Sequence, residues 1–260
     1  MKTYTLIIKQ DTLSKSIAKD IESKLIGILE YDEKQPDLVI SVGGDGTVLQ
    51  SVHQYFHQDC YFVGVHTGTL GFFTDYQKEE IDALIKDIKN NDYKVNERYI
   101  LEIITHQKER SKTFYALNEV RIDHGFATQV IDVYINDDLL ETFRGNGLCV
   151  STPSGSTAYN KSLGGAVIYP GNPLMQLTEV AGIQHNAYRS LGAPLILDDK
   201  QSIRLIRKQD DVLHLGVDHL SFSEAAVDSI EIKISKKIVT FIEYKEMSFI
   251  KRVRRAYIKS

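Results

Sequence analysis

The run Val42-Gly43-Gly44-Asp45-Gly46-Thr47 sets three glycines around a single carboxylate. The near-continuous apolar stretch DLVISV (37–42) precedes it, and a helical pattern follows. In an open α/β sheet, ligands collect at such strand ends. A turn without side chains lets backbone N–H groups approach phosphate oxygens, and the N-terminus of the next helix favours negative charge. Gly43, Gly44, Gly46 and Thr47 make up the expected phosphate turn. A carboxylate beside a phosphate needs a reason. Asp45 has one if it takes a proton from an attacking hydroxyl, or if it holds a metal ion that bridges the phosphates. The simpler reading is a tight turn with Asp45 as helix N-cap. The run is not G-x-x-x-x-G-K-[ST], which excludes a P-loop, and it lacks the G-x-G-x-x-G of a dinucleotide dehydrogenase.

A second stretch, GLCVSTPSGSTAYNKSLGG (147–165), runs from a short apolar strand into a loop rich in Ser, Thr and Gly. Such a loop offers hydroxyl and backbone partners to a polar ligand. Tyr159 adds an aromatic face on which a base or nicotinamide stacks. The competing reading is a surface loop. Third, Asn118-Glu119 closes the strand-like FYALNEV. An amide and a carboxylate together suit the two hydroxyls of a ribose. Neighbours on a strand face opposite ways, so both reach one ligand only at a strand end or bend; an exposed turn pair is the alternative. His53 and His57 carry the spacing of a zinc-peptidase helix, but Gln54 stands where the base belongs and no third ligand is evident.

These motifs need a scaffold. Tyr4–Lys9 reads as a short strand, 37–42 and 61–65 as buried strands, and residues 14–29, 46–57 and 78–90 as helices. This alternation predicts a doubly wound, mostly parallel α/β unit. From about Tyr99 the pattern changes to short strand-like runs: 101–105, 130–136, 202–206 and 230–234, with one expected helix over 171–190. The expected organisation is an α/β domain over 1–97 and a mainly β domain over 98–245.

With 260 residues, 42% hydrophobic and 25% charged, the chain has an ordinary globular balance. A net charge of −4 disfavours general nucleic-acid binding. No apolar stretch approaches the roughly 20 residues of a membrane-spanning helix, and MKTYTLIIKQDT reads as a first strand rather than a signal peptide. Cys60 and Cys149 lie far apart without further cysteines, which points to buried thiols in a reducing cytoplasm. The basic tail Lys251-Arg252-Val253-Arg254-Arg255 reads as a solvated face; attraction for phosphates or for a partner subunit is the alternative.

Taken in order and spacing, GGDGT at 43–47, Asn118-Glu119 and GLCVSTPSGSTAY at 147–159 resemble the NAD kinase family. GGDGT alone is shared with lipid kinases and, more loosely, with phosphofructokinases; the 147–159 segment is far more specific. The resemblance implies ATP-dependent phosphorylation of the adenosine ribose 2′-hydroxyl of NAD to NADP. It also implies a homotetramer and a C-terminal segment, 246–260, that completes the first domain. Magnesium is expected to arrive with ATP, with no fixed set of protein ligands.

By position, Asp45 looks like the group that activates the hydroxyl, and Gly46 gives its backbone to the substrate. Asn118 and Glu119 look like NAD contacts. Thr157, Ala158, Tyr159 and Ser162 resemble the dinucleotide pocket, with Ser154 beside it and Ala181 among the NAD-binding positions. Phe72 or Phe73 is placed to pack on adenine, Arg144 to pair with a phosphate, and Asp218-His219 to line the site unless they form a plain turn. One position departs from the family: Asn146, in RGNGL, stands where members usually carry Asp, which removes a charge from the implied NAD pocket. Two rivals remain, a lipid kinase sharing the GGDGT turn and a non-catalytic NADP(H)-binding sensor. The first has no need of the 147–159 segment, and retention of Asp45 argues against the second.

Overall fold

The structure, a computed structural model, describes residues 1–68, 71–91, 93–108, 110–124, 127–208, 212–224, 227–244 and 247–258. Two compact units divide the chain: Met1–Arg98 with Lys237–Ser260, and Tyr99–Lys236. The first begins with β1 (Thr3–Ile8), α1 (Thr12–Leu25), β2 (Glu30–Tyr31) and β3 (Leu38–Gly43). It continues through α2 (Asp45–Tyr55), β4 (Tyr61–His66), β5 (Tyr76–Gln77) and α3 (Ile81–Asn90). Strand β6 (Lys94–Gln107) then leads into the second unit. There follow β7 (Arg110–Ala116), β8 (Glu119–Asp123), β9 (Gln129–Ile135), β10 (Asp138–Gly145), β11 (Gly147–Ser151) and the short α4 (Tyr159–Ser162). After these come β12 (Leu174–Val180), β13 (Leu195–Asp198), β14 (Ser202–Arg207), β15 (Leu213–Val217), β16 (Leu220–Glu224) and β17 (Ser229–Glu243). The chain ends in α5 (Phe249–Tyr257), within the first unit.

In the first unit β2, β1, β3 and β4 lie side by side, all parallel. Every residue of β3 is buried, as a central strand covered on both faces requires. Ile17, Ile21 and Leu25 of α1 and Ile81, Leu84 and Ile88 of α3 pack into one core with Leu38, Ile40, Val63 and Val65. The side chain of Asp11 caps α1 by accepting the Ser14 N–H at 2.8 Å, and Gly27, with φ at 77°, turns the chain out of the helix.

The second unit is mainly β. One antiparallel sheet has the order β13-β12-β11-β8-β15-β16. In the other, β14 pairs antiparallel with both β9 and β17, and β10 pairs with β9. Their apolar faces share a core that includes Val120, Ile122, Leu148, Val150, Met175, Leu177, Ile203 and Leu205. The fold is therefore an α/β unit with a mostly parallel sheet and a mainly β unit.

Three local expectations change. Residues 171–190 are not a helix: Leu174–Val180 is a strand between β11 and β13. Met175 and Leu177 face the core, while buried Gln176 and Thr178 are satisfied by Ala166 and Asn160. Buried polar residues with tertiary partners hid the two-residue period. The end of β17 pairs parallel with β4 through Thr240↔Tyr61 and Phe241↔Phe62, so residues 237–244, read with the β domain, belong to the first unit. The expected joint at 245 and 246 lies outside the described residues. Finally, the basic tail is helical, and one of its cations, Arg252, is buried rather than solvated. Among the described residues no helix is long and apolar enough to cross a membrane.

Candidate active site

The glycine turn lies between β3 and α2, as its sequence requires. Gly44 is the helix N-cap and Asp45 the first helical residue, so Asp45 is not the cap itself. Its carboxylate turns back onto the segment after β4. It accepts the Phe72 N–H at 2.8 Å and the Phe73 N–H at 3.1 Å. Gly71 makes this possible, because a Cβ there would occupy the place of the carboxylate. Gly43 is needed for another reason: a Cβ would run into the buried side chain of Thr47. At Gly46 a Cβ would meet nothing within 4 Å. The exposed N-terminus of α2 is thus open at Gly46, with the helix dipole behind it.

Three further side chains, His66, Lys9 and Arg255, act beside the turn. The Nδ1 of His66 accepts the Gly68 N–H at 2.7 Å, which leaves the proton of neutral imidazole on Nε2. That Nε2 is the nearest atom to a Cβ placed on Gly44, at 3.4 Å. Burial lowers the His66 pKa, and the Arg255 and Lys9 charges lower it further against the pull of Asp45. His66 is therefore a neutral N–H donor at neutral pH, flanked by two cations. A lone His66 and a lone Lys9 at strand ends have no spacing to reveal them, whereas Arg255 stands in the basic tail for which attraction for phosphates is the alternative reading. Of the two phenylalanines, Phe73 is buried and stacks on Phe241 at 5.7 Å between centroids. Phe72 is half-buried, with Tyr257 stacked on it at 5.9 Å and Phe249 at 6.2 Å.

In the second unit Leu117 and Asn118 form a bend between β7 and β8, and Glu119 starts β8. This is the bend that lets adjacent residues serve one ligand. Asp218 shapes it. With φ at 51°, Asp218 starts the two-residue turn Asp218-His219 between β15 and β16. Its buried carboxylate accepts the N–H groups of Leu117 at 2.8 Å, Asn118 at 2.7 Å and Glu119 at 3.2 Å. His219 is exposed. The bend holds Asn118 and Glu119 with acceptors to spare: Asn118 Oδ1 and Glu119 Oε2 are buried without a hydrogen-bond partner. Ser151 Oγ, from the residue paired with Glu119 across β11, is in the same condition. Unsatisfied buried acceptors cost about 1–3 kcal/mol each, and a ligand with hydroxyl donors relieves that cost. Burial pushes the Glu119 carboxyl up to about 7; the negative charge of Asp218 adds to the rise and Arg121 opposes it.

The Ser/Thr-rich segment docks on this bend. Thr152 donates its hydroxyl to Leu117 O at 2.6 Å and its N–H to Asn118 O at 2.8 Å. A Cβ on Gly155 would overlap the Asn118 backbone, so only glycine allows the approach. Several hydroxyls expected to face a ligand are spent internally: Ser156 bonds Pro153 O and Ile168, and Thr157 donates to Ser154 O at 3.2 Å. Ser154 and Thr157 are buried, Ala158 and Tyr159 half-buried, and Ser162 exposed on α4. The guanidinium of Arg121, another residue missed in the sequence, lies 5.4 Å from the centre of the Tyr159 ring. A Cβ on Gly216 would meet the Arg121 side chain.

Asn146 links β10 to β11, and its Nδ2 donates weakly to His124 O at 3.4 Å. Ala181 is exposed with φ at 47°, just past β12. Arg144 lies over the Tyr188 ring at 4.3 Å; its guanidinium thus has an aromatic partner within the chain. The structure brings together Gly43 to Thr47 with Phe72 and Phe73 in the first unit. In the second it brings together Asn118, Glu119 and Asp218 with the 151–159 segment.

Comparison with known proteins identifies the family. Residues 8–93 match the family model described as the ATP-NAD kinase N-terminal domain, and residues 117–244 the ATP-NAD kinase C-terminal domain. The NAD kinase of Staphylococcus aureus is 40% identical over 265 residues, covering 99% of this chain and 98% of its own. Among solved structures, yeast NADH kinase complexed with NADH superposes with a TM-score of 0.87 at 20% identity, over 100% of this chain and 89% of that one. An NAD kinase from Archaeoglobus fulgidus in complex with ATP gives 0.76 at 21% identity, over 99% and 97%. At those identities the two structures speak for the fold, while the sequence matches speak for the family. Through both halves and almost its whole length, this chain is a member of the NAD kinase family.

Proposed function

We propose that the chain is an ATP:NAD⁺ 2′-phosphotransferase, which moves the terminal phosphoryl group of ATP to the 2′-hydroxyl of the adenosine ribose of NAD and gives NADP. The observation that carries this is the Asp45 carboxylate, fixed by two backbone amides at the open N-terminus of α2. The lone pairs it keeps are free to accept the proton of an attacking hydroxyl. Phosphoryl transfer otherwise asks the protein mainly for position and charge. The Gly46 backbone, the Nε2–H of His66 and the charges of Lys9 and Arg255 supply donors and positive potential for phosphate oxygens. Magnesium is held by one or two carboxylates plus substrate phosphates, so we treat it as part of the nucleotide substrate.

On this reading the second unit holds NAD. The unpartnered acceptors of Asn118 and Glu119 take the ribose hydroxyl protons, and Tyr159, Ala158, Thr157, Ser162 and Ser154 line the dinucleotide, with Ala181, Asn146 and Arg144 toward its far end. Phe72, with its partly exposed ring, suits adenine better than buried Phe73. The family further supports a cytoplasmic homotetramer without nucleic-acid or membrane partners.

A coupled assay for NADP with the purified chain, magnesium, ATP and NAD tests the reading. Turnover should require both substrates. Asp45→Asn should lower it by about 10²–10⁴, the usual worth of a general base, with NAD affinity retained. Phosphorylation of a diacylglycerol in place of NAD, or tight NADP(H) binding with no turnover, would replace this reading by the lipid-kinase or sensor alternative.

A further inference from the structure

Only one cation of the basic tail is buried. Arg252 is 6% exposed on α5, and its guanidinium faces three acceptors of a single segment. It donates to Thr74 O at 2.8 Å, to Gly71 O at 3.3 Å and to the carboxylate of buried Asp75. The same segment carries the Phe72 and Phe73 N–H groups that hold Asp45. It is tied internally by the Gly71 N–H, which donates to Thr74 Oγ1 at 3.1 Å, and to β4 by the Asp75 N–H, which donates to Gly64 O at 3.1 Å. Phe249 and Tyr257 of α5 also pack on the Phe72 ring, at 6.2 and 5.9 Å between centroids. A helix from the end of the chain thus fixes both the backbone and the aromatic side chain of the segment that aims the carboxylate.

We propose that Arg252 is a positioning residue for phosphoryl transfer: it sets the 71–75 backbone so that the Phe72 and Phe73 amides orient Asp45. The proposal rests on Asp45 acting on the acceptor hydroxyl. Arginine suits the task because its rigid planar fork presents donors to several fixed acceptors at set positions, whereas the three donors of lysine radiate from one nitrogen on a flexible stem. A merely structural ion pair between Arg252 and Asp75 would not require bonds to Gly71 O and Thr74 O.

The test is a double-mutant cycle on the full chain, with turnover, KM for NAD and NAD affinity measured in each variant. Arg252→Lys keeps a charge beside Asp75 and so avoids stranding a buried carboxylate. It should lower kcat by about 10–100-fold, as misplacement of a reacting group does, and leave KM and NAD affinity within about threefold. In the Asp45→Asn background the same change should alter the residual turnover by less than about threefold, since groups acting through one another are not additive. Tyr257→Ala removes an exposed ring and should fold even if Arg252→Lys does not. We expect it to lower kcat about 3–10-fold, again only when Asp45 is present. Normal kcat in Arg252→Lys, or equal losses with and without Asp45, overturns the proposal and leaves the role of Asp45 standing. Normal turnover in Asp45→Asn alone removes the Asp45 reading, and the proposal with it.

Discussion

Gly71 has no room for a Cβ because the carboxylate of Asp45 lies where that atom would be. The absence of a side chain at one position and the orientation of a carboxylate at another are a single feature. Gly71 does not have a positive φ, so alanine would meet steric cost only, without backbone strain.

Gly71→Ala should therefore act on Asp45. The carboxylate would have to swing away and give up the Phe72 and Phe73 amides. We expect kcat to fall about 10–100-fold, as for other small misplacements, with about 1–2 kcal/mol lost from stability through two broken hydrogen bonds. NAD affinity should hold. Steady-state kinetics and a denaturant titration read both effects, and unchanged kcat would show that the observed pose of Asp45 is not the working one.

Much of this was legible in the sequence. The buried strand into GGDGT and the helix behind it are local patterns, and local patterns survive in one dimension. What stayed hidden depends on tertiary partners. Gln176 and Thr178 are buried on a central strand because Ala166 and Asn160 satisfy them, so the 171–190 stretch reads as a helix until those partners are known. Arg252 looks like one more surface cation until Gly71, Thr74 and Asp75 appear around it. Arg121 and His66 share that fate. The hydroxyls of Thr152, Ser156 and Thr157 were legible as polar but not as spent, because their acceptors are the segment's own backbone and Leu117.

Asp218→Asn tests the bend. Asparagine tolerates the left-handed backbone at this turn. Its single carbonyl oxygen can keep the Asn118 and Glu119 amides, which share Oδ1, but its NH₂ would face the Leu117 N–H. We expect a loss of about 1–3 kcal/mol for the stranded donor and weaker NAD binding. The denaturation midpoint and a calorimetric titration with NAD measure the two, and a variant that matches the parent in both would leave Asp218 as an ordinary turn residue.

Asn146→Asp sets two effects against each other. The Nδ2 bond to His124 O is lost, and a carboxylate oxygen then faces that carbonyl. Ligand-free stability should fall by about 0.5–1 kcal/mol, the worth of a weak hydrogen bond. If residue 146 meets an N–H donor of NAD, the charge should tighten binding by about 0.5–1.5 kcal/mol, the step from neutral to charge-assisted bonding. Melting curves without ligand and NAD affinities at one pH and salt concentration separate the two. Equal or weaker NAD binding by the Asp form would place residue 146 away from any ligand donor.

Glu119 should make both stability and binding depend on pH, in opposite directions. Its carboxyl titrates at about 7 in the folded chain, above the ordinary 4.5, because it is buried and lies near the charge of Asp218. A carboxyl with a raised folded pKa binds its proton more tightly when folded. Its stabilising contribution is complete below about pH 4.5 and is lost as pH rises through about 7. The loss is on the order of 2–3 kcal/mol across that window, and Glu119→Gln should remove it. NAD reverses the sign. An ionised carboxylate accepts ribose hydroxyls better than a neutral carboxyl, so NAD affinity should rise about tenfold between pH 6 and 8 and stay flat in Glu119→Gln. Asp218→Asn removes a neighbouring negative charge, and it should move the inflection to lower pH. NAD titrations at four pH values in the three proteins would decide. An affinity that falls as pH rises in the parent would mean that the neutral carboxyl is the binding form, donating its proton to the ligand instead of accepting one.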